Sequence, residues 1–388
     1  MFINPNIKNI ISPPIPKALS WIKYYDGSMG EIIDMSQAVP SYPPHENLIK
    51  YFIDSSSNNE YAKYGDIEGD IELRNEYCKI TNLKYETSIN NNQVLISSGC
   101  NQAYVVSLLT IAETGDEIMI SNPGYFSHEL SIKMLGLKPN FFNLDENNFS
   151  LNFDEIENNY NPKVKAITIV SPGNPTGAIF NSEALDRLLS FCHSKGVYLI
   201  LDETYRDFIY PYLKKPHNLF QSKLWKDILI QLYSFSKSCC IPGHRLGALI
   251  AGKEVINQMN KVMDNIQICA SRPSQQAVGK FLNQLESFQK NKTEEIGEKS
   301  LYFNEIITSK TSWEVSSIGA FFAYVKHPFK SKLSSEISKR LATELGIISL
   351  PGNCFGINQD NYLRFSFGGL NYNQIEKIPE RLKKFLVK

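Results

Sequence analysis

Four short segments hold the residues with the most chemical potential. Ser234-Phe235-Ser236-Lys237 ends in a lysine among hydroxyls, and Gly243-His244-Arg245-Leu246-Gly247 follows with an arginine. Burial or a cationic neighbour depresses a lysine's pKa and makes its amine nucleophilic toward carbonyls. The same residues also fit a surface lysine in a serine-rich turn. Ser171-Pro172-Gly173-Asn174-Pro175-Thr176-Gly177 packs two prolines and two glycines into one turn, which would fix the Asn174 amide at the end of an apolar run. Asp202-Glu203-Thr204-Tyr205 places a carboxylate where an apolar run stops. Such a group must meet a cation or hydrogen-bond donors, or else it caps a helix. Ser97-Ser98-Gly99-Cys100-Asn101-Gln102-Ala103 is a glycine turn opening a helix. The free N–H groups there suit a phosphate, though an ordinary helix entry reads the same way.

The elements that must position these segments alternate. Apolar runs predict strands at Val94–Ser97, Glu117–Ser121, Ala166–Val170, Val197–Leu201, Ile228–Tyr233 and Leu246–Ala251. Amphipathic stretches predict helices at Gln102–Ala112, Tyr125–Leu135 and Ser182–Lys195. Continuous apolar strands separated by helices imply an α/β layer with a mostly parallel sheet covered on both faces. After about Gln275 the pattern becomes α+β: helices at Gln275–Gln289 and Glu294–Thr308, strand Ala320–Val325, helix Ser334–Leu345, strands Ile347–Leu350 and Tyr362–Phe367, and helix Asn373–Val387. The reading divides the chain into a Pro-rich arm (1–45) packing on the small domain or a partner, a large domain (46–272) and a small domain (273–388). All four segments then fall at strand ends of one sheet.

Composition removes several alternatives. Lys+Arg and Asp+Glu are both 40 in 388 residues, so the cationic excess of a nucleic-acid binder is missing. No apolar stretch approaches the roughly 18–20 residues of a membrane helix, and residues 1–17 lack a secretory pattern. The seven cysteines form no C-x-x-C pair, which fits free thiols in a reducing cytoplasm. The six scattered histidines include no H-x-x-x-H pair, so no metal is expected.

Taken together and in order, the four segments resemble the class I/II aminotransferase group of fold type I pyridoxal-phosphate enzymes, the aspartate aminotransferase superfamily. The match runs from about Asp34 to the C terminus. The spacing of eight from Lys237 to Arg245 is the family's. Tyr64-Gly65-Asp66-Ile67-Glu68-Gly69 with Leu73-Arg74, and Tyr362-Leu363-Arg364, resemble two further family segments. The resemblance implies a seven-stranded-type sheet and pyridoxal 5'-phosphate held as an internal aldimine on Lys237, whose amine later moves the Cα proton. It implies that Asp202 binds the pyridinium nitrogen and that Asn174 and Tyr205 bind the ring's phenolic oxygen. Tyr125 would stack on the ring. Arg245, Ser234, Ser236 and the N–H groups of Cys100 and Asn101 would hold the phosphate. Tyr64 would reach the phosphate of a partner subunit in a homodimer. Arg364 would clamp the substrate α-carboxylate. Ala38 stands where the family usually has glycine, beside the substrate. Arg74 reads as structural. Gln267 lies near the place where dicarboxylate-specific relatives carry a second arginine, and Arg272 is shifted toward the phosphate or the interface. A glutamate or aspartate specialist is therefore not expected.

The expected activity is transfer of an amino group between an α-amino acid and a 2-oxo acid, in the cytoplasm. The rival on the same scaffold is elimination or cyclisation of a hydroxylated amino acid, including guanidino amino acids, which needs the same residues. A cofactor-binding regulator is disfavoured because the first 45 residues hold no helix-turn-helix. A nucleotide-binding oxidoreductase is disfavoured because G-x-G-x-x-G and G-x4-G-K-[ST] are absent.

Overall fold

The computed structural model describes residues 1–213 and 215–385. After a short β1 (Ile33–Asp34), seven strands build the main sheet: β2 (Val94–Ser97), β3 (Glu117–Asn122), β4 (Lys138–Asn143), β5 (Val164–Val170), β6 (Tyr198–Asp202), β7 (Leu229–Ser234) and β8 (Gly247–Ile250). Their order is β2-β8-β7-β6-β5-β3-β4. The pairs from β7 to β4 are parallel, and β8 runs against both β7 and β2. One edge of the sheet thus gathers the carboxyl ends of six strands and the amino end of β8.

Both faces of the sheet are covered. Leu199 and Leu201 point into one core and Ile200 into the other; Leu229 and Ile230 divide the same way. This explains why the strands read as unbroken apolar runs. Burial of each such side chain contributes about 1.5–3 kcal/mol. β4 has no such run. It is an edge strand, mostly half-exposed, and its sequence Lys-Pro-Asn-Phe-Phe-Asn gave no strand signal.

A four-stranded antiparallel sheet follows from β9 (Glu314–Gly319), β10 (Phe322–Lys326), β12 (Leu350–Pro351) and β13 (Tyr362–Ser366), in the order β12-β13-β10-β9. The polar edge strand β9 was likewise not foreseen. The strand expected over Ile347–Leu350 divides in two: β11 (Ile347–Ile348) pairs with β1, and β12 pairs with β13. The terminal helix spans Tyr372–Lys384, and Val387 lies outside the described residues.

The two helices expected between 275 and 308 are one helix, Arg272–Lys310, of 39 residues, about 58 Å long at 1.5 Å per residue. Lys290–Thr293 contains no helix breaker and interrupts only the apolar stripe. Val278, Phe281 and Leu285 pack in the main-sheet core, whereas Ile296, Phe303 and Ile307 pack in the core around the second sheet. The stripe shifts where the helix passes from one core to the other. From the N-terminal segment, Ala18 and Trp21 pack with Ala342, Ile348, Leu350 and Phe355.

Candidate active site

At the shared edge a cavity of about 230 Å³ is lined by Ala38, Cys100, Asn101, Tyr125, Asn174, Asp202, Tyr205, Ser234, Ser236, Lys237, Arg245 and Arg364, among others. Sequence positions up to 326 residues apart thus meet in one place. Tyr64, the remaining candidate, is 79% exposed and outside this cavity.

Lys237 lies on a single helical turn, Phe235–Ser238, directly after β7. Its Nζ donates to the Ala38 carbonyl at 2.6 Å. Burial, helped by the charges of Arg364 and Arg245, pushes its pKa down to about 8. Near neutral pH a sizeable fraction of the amine is therefore free to attack a carbonyl.

Asp202 ends β6 and is buried. Its Oδ1 accepts from the Thr204 N–H at 2.9 Å, and its Oδ2 lies 3.2 Å from His128 Nε2. Burial pushes the carboxyl up, but His128 and Thr204 outweigh it, so it titrates below the usual range and stays anionic. His128 escaped the sequence reading because its partner is 74 residues away. A signal was present: it follows Tyr125 by three residues, a spacing that puts both on one helix face, and the two rings meet edge-on at 5.2 Å.

An anion seat closes one end. The helix Cys100–Ile111 begins without a side-chain cap, leaving its first N–H groups available. Arg245 makes no ion pair among the described residues; it reaches only the carbonyls of Pro242 and Ser98. Ser236 Oγ is buried without a partner. Gly99 has φ +86°, and a Cβ there would lie 2.5 Å from Arg245 Nη2. Only a glycine lets the guanidinium lie over this helix entry.

At the other end Arg364, 1% exposed, donates from Nη1 to Asn174 Oδ1 at 2.9 Å and from Nη2 to the Ser36 carbonyl. Its Nε has no partner and no carboxylate pairs with it among the described residues. The guanidinium lies over the rings of Phe322 and Phe355. Burying a cation without an anion is costly, so the place suits an incoming carboxylate. Tyr205 sits edge-on to Phe321 and Phe322.

The segment Ser36–Ser41 is held by three cations. Arg364 takes the carbonyl of Ser36, Lys237 that of Ala38, and Lys299, only 3% exposed, donates to Ser41 Oγ at 3.0 Å. Lys299 lies 258 residues from Ser41, and no motif marks it. Arg272 is not near the anion seat: its Nε meets Asp70 Oδ1 at 3.0 Å and its Nη1 the Glu60 carbonyl. Gln267 donates to Ser98 Oγ. Arg74 binds the carbonyls of Gly69 and Asn91, as a structural residue would.

Comparison with known proteins agrees with this geometry. Residues 30–382 match the family model of aminotransferase class I and II. The (5-formylfuran-3-yl)methyl phosphate transaminase of Methanocaldococcus jannaschii is 30% identical over 365 residues, covering 92% of each chain. The aspartate aminotransferase of Sulfolobus acidocaldarius is 26% identical over 92% of this chain and 90% of its own. In fold, substrate-bound BacF from Bacillus subtilis superimposes with a TM-score of 0.91, covering 99% of this chain and 98% of that one at 22% identity. With a sequence match across nearly its whole length, the chain belongs to the class I and II aminotransferases of the aspartate aminotransferase superfamily, a family that uses pyridoxal 5'-phosphate.

Proposed function

We propose that this chain is an aminotransferase that moves an amino group between an α-amino acid and a 2-oxo acid. One observation carries the reading: an amine depressed to about 8, an anionic Asp202 and a buried Arg364 without a carboxylate line the same cavity. The donor set fits pyridoxal phosphate. The unpartnered Ser236 hydroxyl, Arg245 and the helix entry at Cys100 and Asn101 suit a phosphate dianion, with Ser234 beside them. When bound, the cofactor supplies an aldehyde for the amine and an electron sink for the electrons released at the substrate's Cα.

The protein's own residues do the rest. Lys237 would be the residue that holds the cofactor through its aldehyde, and its amine would hold and return the substrate's Cα proton. Asp202 favours a proton on the ring nitrogen because it stays anionic itself. His128 and the Thr204 N–H hold that carboxylate in place and act as positioning groups. Asn174 and Tyr205 would hold the cofactor's phenolic oxygen, and Tyr125 would pack against its ring. Arg364 takes the substrate carboxylate bidentately, which fixes the Cα bond that breaks. Ala38 borders the substrate. The large domain 46–272 would supply the cofactor groups and the small domain 273–388 Arg364, with the arm 1–45 beside them. The exposed Tyr64 suits a homodimer in which it reaches the partner's cavity. No described helix is long and apolar enough to cross a membrane, and we place the enzyme in the cytoplasm.

The test is a half-reaction. Purified protein loaded with pyridoxal phosphate, mixed with a broad panel of amino acids, should convert to the pyridoxamine form and release the matching 2-oxo acid. Lys237→Ala should abolish both the conversion and the yellow chromophore. A panel that never yields the pyridoxamine form would overturn the reading: release of free ammonium with the 2-oxo acid would favour elimination, and a product retaining its nitrogen would favour cyclisation.

A further inference from the structure

A second cavity, of about 310 Å³, lies on the other side of the strands that carry the active site. It opens between the helix Ile71–Tyr85, the helix Arg272–Lys310 and the turn Arg206–Phe208. Its inner wall includes Arg206, next to Tyr205, and Tyr233, next to Ser234. Two of its side chains are almost wholly buried yet short of partners. Gln289 is 2% exposed, and neither its Nε2 nor its Oε1 has a hydrogen bond. Arg206 is 2% exposed, its guanidinium lies 4.0 Å over the Tyr233 ring, and its Nε and Nη1 make no hydrogen bond, Glu203 Oε2 being 3.9 Å from Nη1. Each unmet buried donor or acceptor destabilises the fold unless something enters to satisfy it. A protein with two such residues facing one cavity has prepared hydrogen bonds for something that enters it.

The charges around the cavity decide what that something is. Arg206 faces Glu203, and Lys84 meets Asp207 at 3.2 Å. Asp207 also accepts from Tyr233 at 2.6 Å. Nearer the mouth, Lys79 pairs with Glu76 at 3.6 Å, and Tyr212 donates to Glu286. Cations and anions cancel in the inner layer, and the mouth keeps one excess carboxylate, Glu286, so an anionic ligand gains no net attraction and loses its hydration. A neutral head that both donates and accepts matches Gln289, and its carbonyl would take the Arg206 donors. The remaining wall is apolar at Ile80, Leu83, Leu282 and Leu285, with Asn283 as its one further polar residue.

We propose that this cavity is a second small-molecule site, selective for a neutral primary carboxamide with an apolar or aromatic body. It is separate from the active site and does not depend on the reaction assigned above. The probe is 3-phenylpropanamide, titrated by calorimetry into the cofactor-loaded protein, with 3-phenylpropanoate as the charged isostere. The amide should bind at one site and at least about tenfold more tightly than the acid, since two or more neutral hydrogen bonds are at stake. Gln289→Leu should weaken the amide about tenfold while leaving cofactor absorbance unchanged. Because it removes an unmet polar group from a buried position, this variant should fold at least as well as the parent. Leu83→Trp, at an exposed lining residue, should block the mouth and abolish binding.

Three results would each overturn the site: no binding of the amide, which would leave water alone in the cavity; equal binding of acid and amide; or amide binding that survives both substitutions.

Discussion

Asp202 and Glu203 are neighbours in the chain, both buried, and each lies 3.2 Å from a histidine, His128 and His217 respectively. Alternation at a strand end sends them to opposite sides of the sheet. Asp202 faces the cavity with one histidine and one backbone N–H. Glu203 faces away and is saturated: Tyr85 donates to it at 2.8 Å, Gln231 at 2.9 Å, and Arg206 stands at 3.9 Å. For both, burial pushes the carboxyl up and local partners outweigh it, so both stay anionic. Two carboxylates with the same charge and the same burial therefore have different uses. The one with capacity to spare is available to a ligand, and the one without is part of the frame.

Substitution separates the two. Asp202→Asn keeps the shape but removes the charge that favours a protonated ring nitrogen; turnover should fall by about 10²–10³-fold with little change in thermal stability, measured by half-reaction kinetics and calorimetry. A variant within tenfold of wild type would mean that Asp202 is structural, like its neighbour. Glu203→Ala leaves Arg206, His217 and two hydrogen-bond donors, Tyr85 and Gln231, without their carboxylate. It should cost about 3–5 kcal/mol of stability, read by denaturant unfolding, while turnover per folded molecule stays near wild type. A large loss of turnover in protein that remains folded would erase the distinction.

Two smaller effects sharpen the picture on the cavity side. Cofactor capture by apo-protein, followed by absorbance, should rise about tenfold per pH unit as the ammonium loses its proton and level off above pH of about 8. The midpoint should be the same in Asp202→Asn, because burial, Arg364 and Arg245 set it. A midpoint near the ordinary 10.5 would place the amine in water. Lys299→Met removes the tie of a buried cation on Ser41, which ligand binding need not break. It should raise KM for the amino acid severalfold and change kcat less than twofold, the size expected for a single hydrogen bond. An unchanged KM would make Lys299 a packing residue only.

Much of the site was legible because it is written locally. Each of the four segments is an apolar strand followed by a short polar turn, and a parallel sheet brings such turns to one edge whatever the intervening lengths. Lys237, Asp202, Asn174 and Cys100 needed no tertiary knowledge beyond that rule. Two edge strands were not legible: β4 and β9 have mixed burial and no apolar run, whereas the edge strand β2 is buried along its length and reads as one. The break in the stripe of the helix Arg272–Lys310 looked like a helix end because an apolar stripe records which core a helix faces, not whether its backbone continues.

The sequence by itself determined the succession of strands and turns along the chain and the amine and carboxylate at strand ends, since these follow from residue type and short-range spacing; Arg364 was legible only through the family resemblance of its segment. Only the tertiary structure decided that His128 supports Asp202, that Lys299 joins Lys237 and Arg364 in holding one loop, and that Gln289 and Arg206 face a common cavity. Those pairings join residues tens to hundreds of positions apart, and chain separation places no limit on contact once the sheet and the long helix have packed.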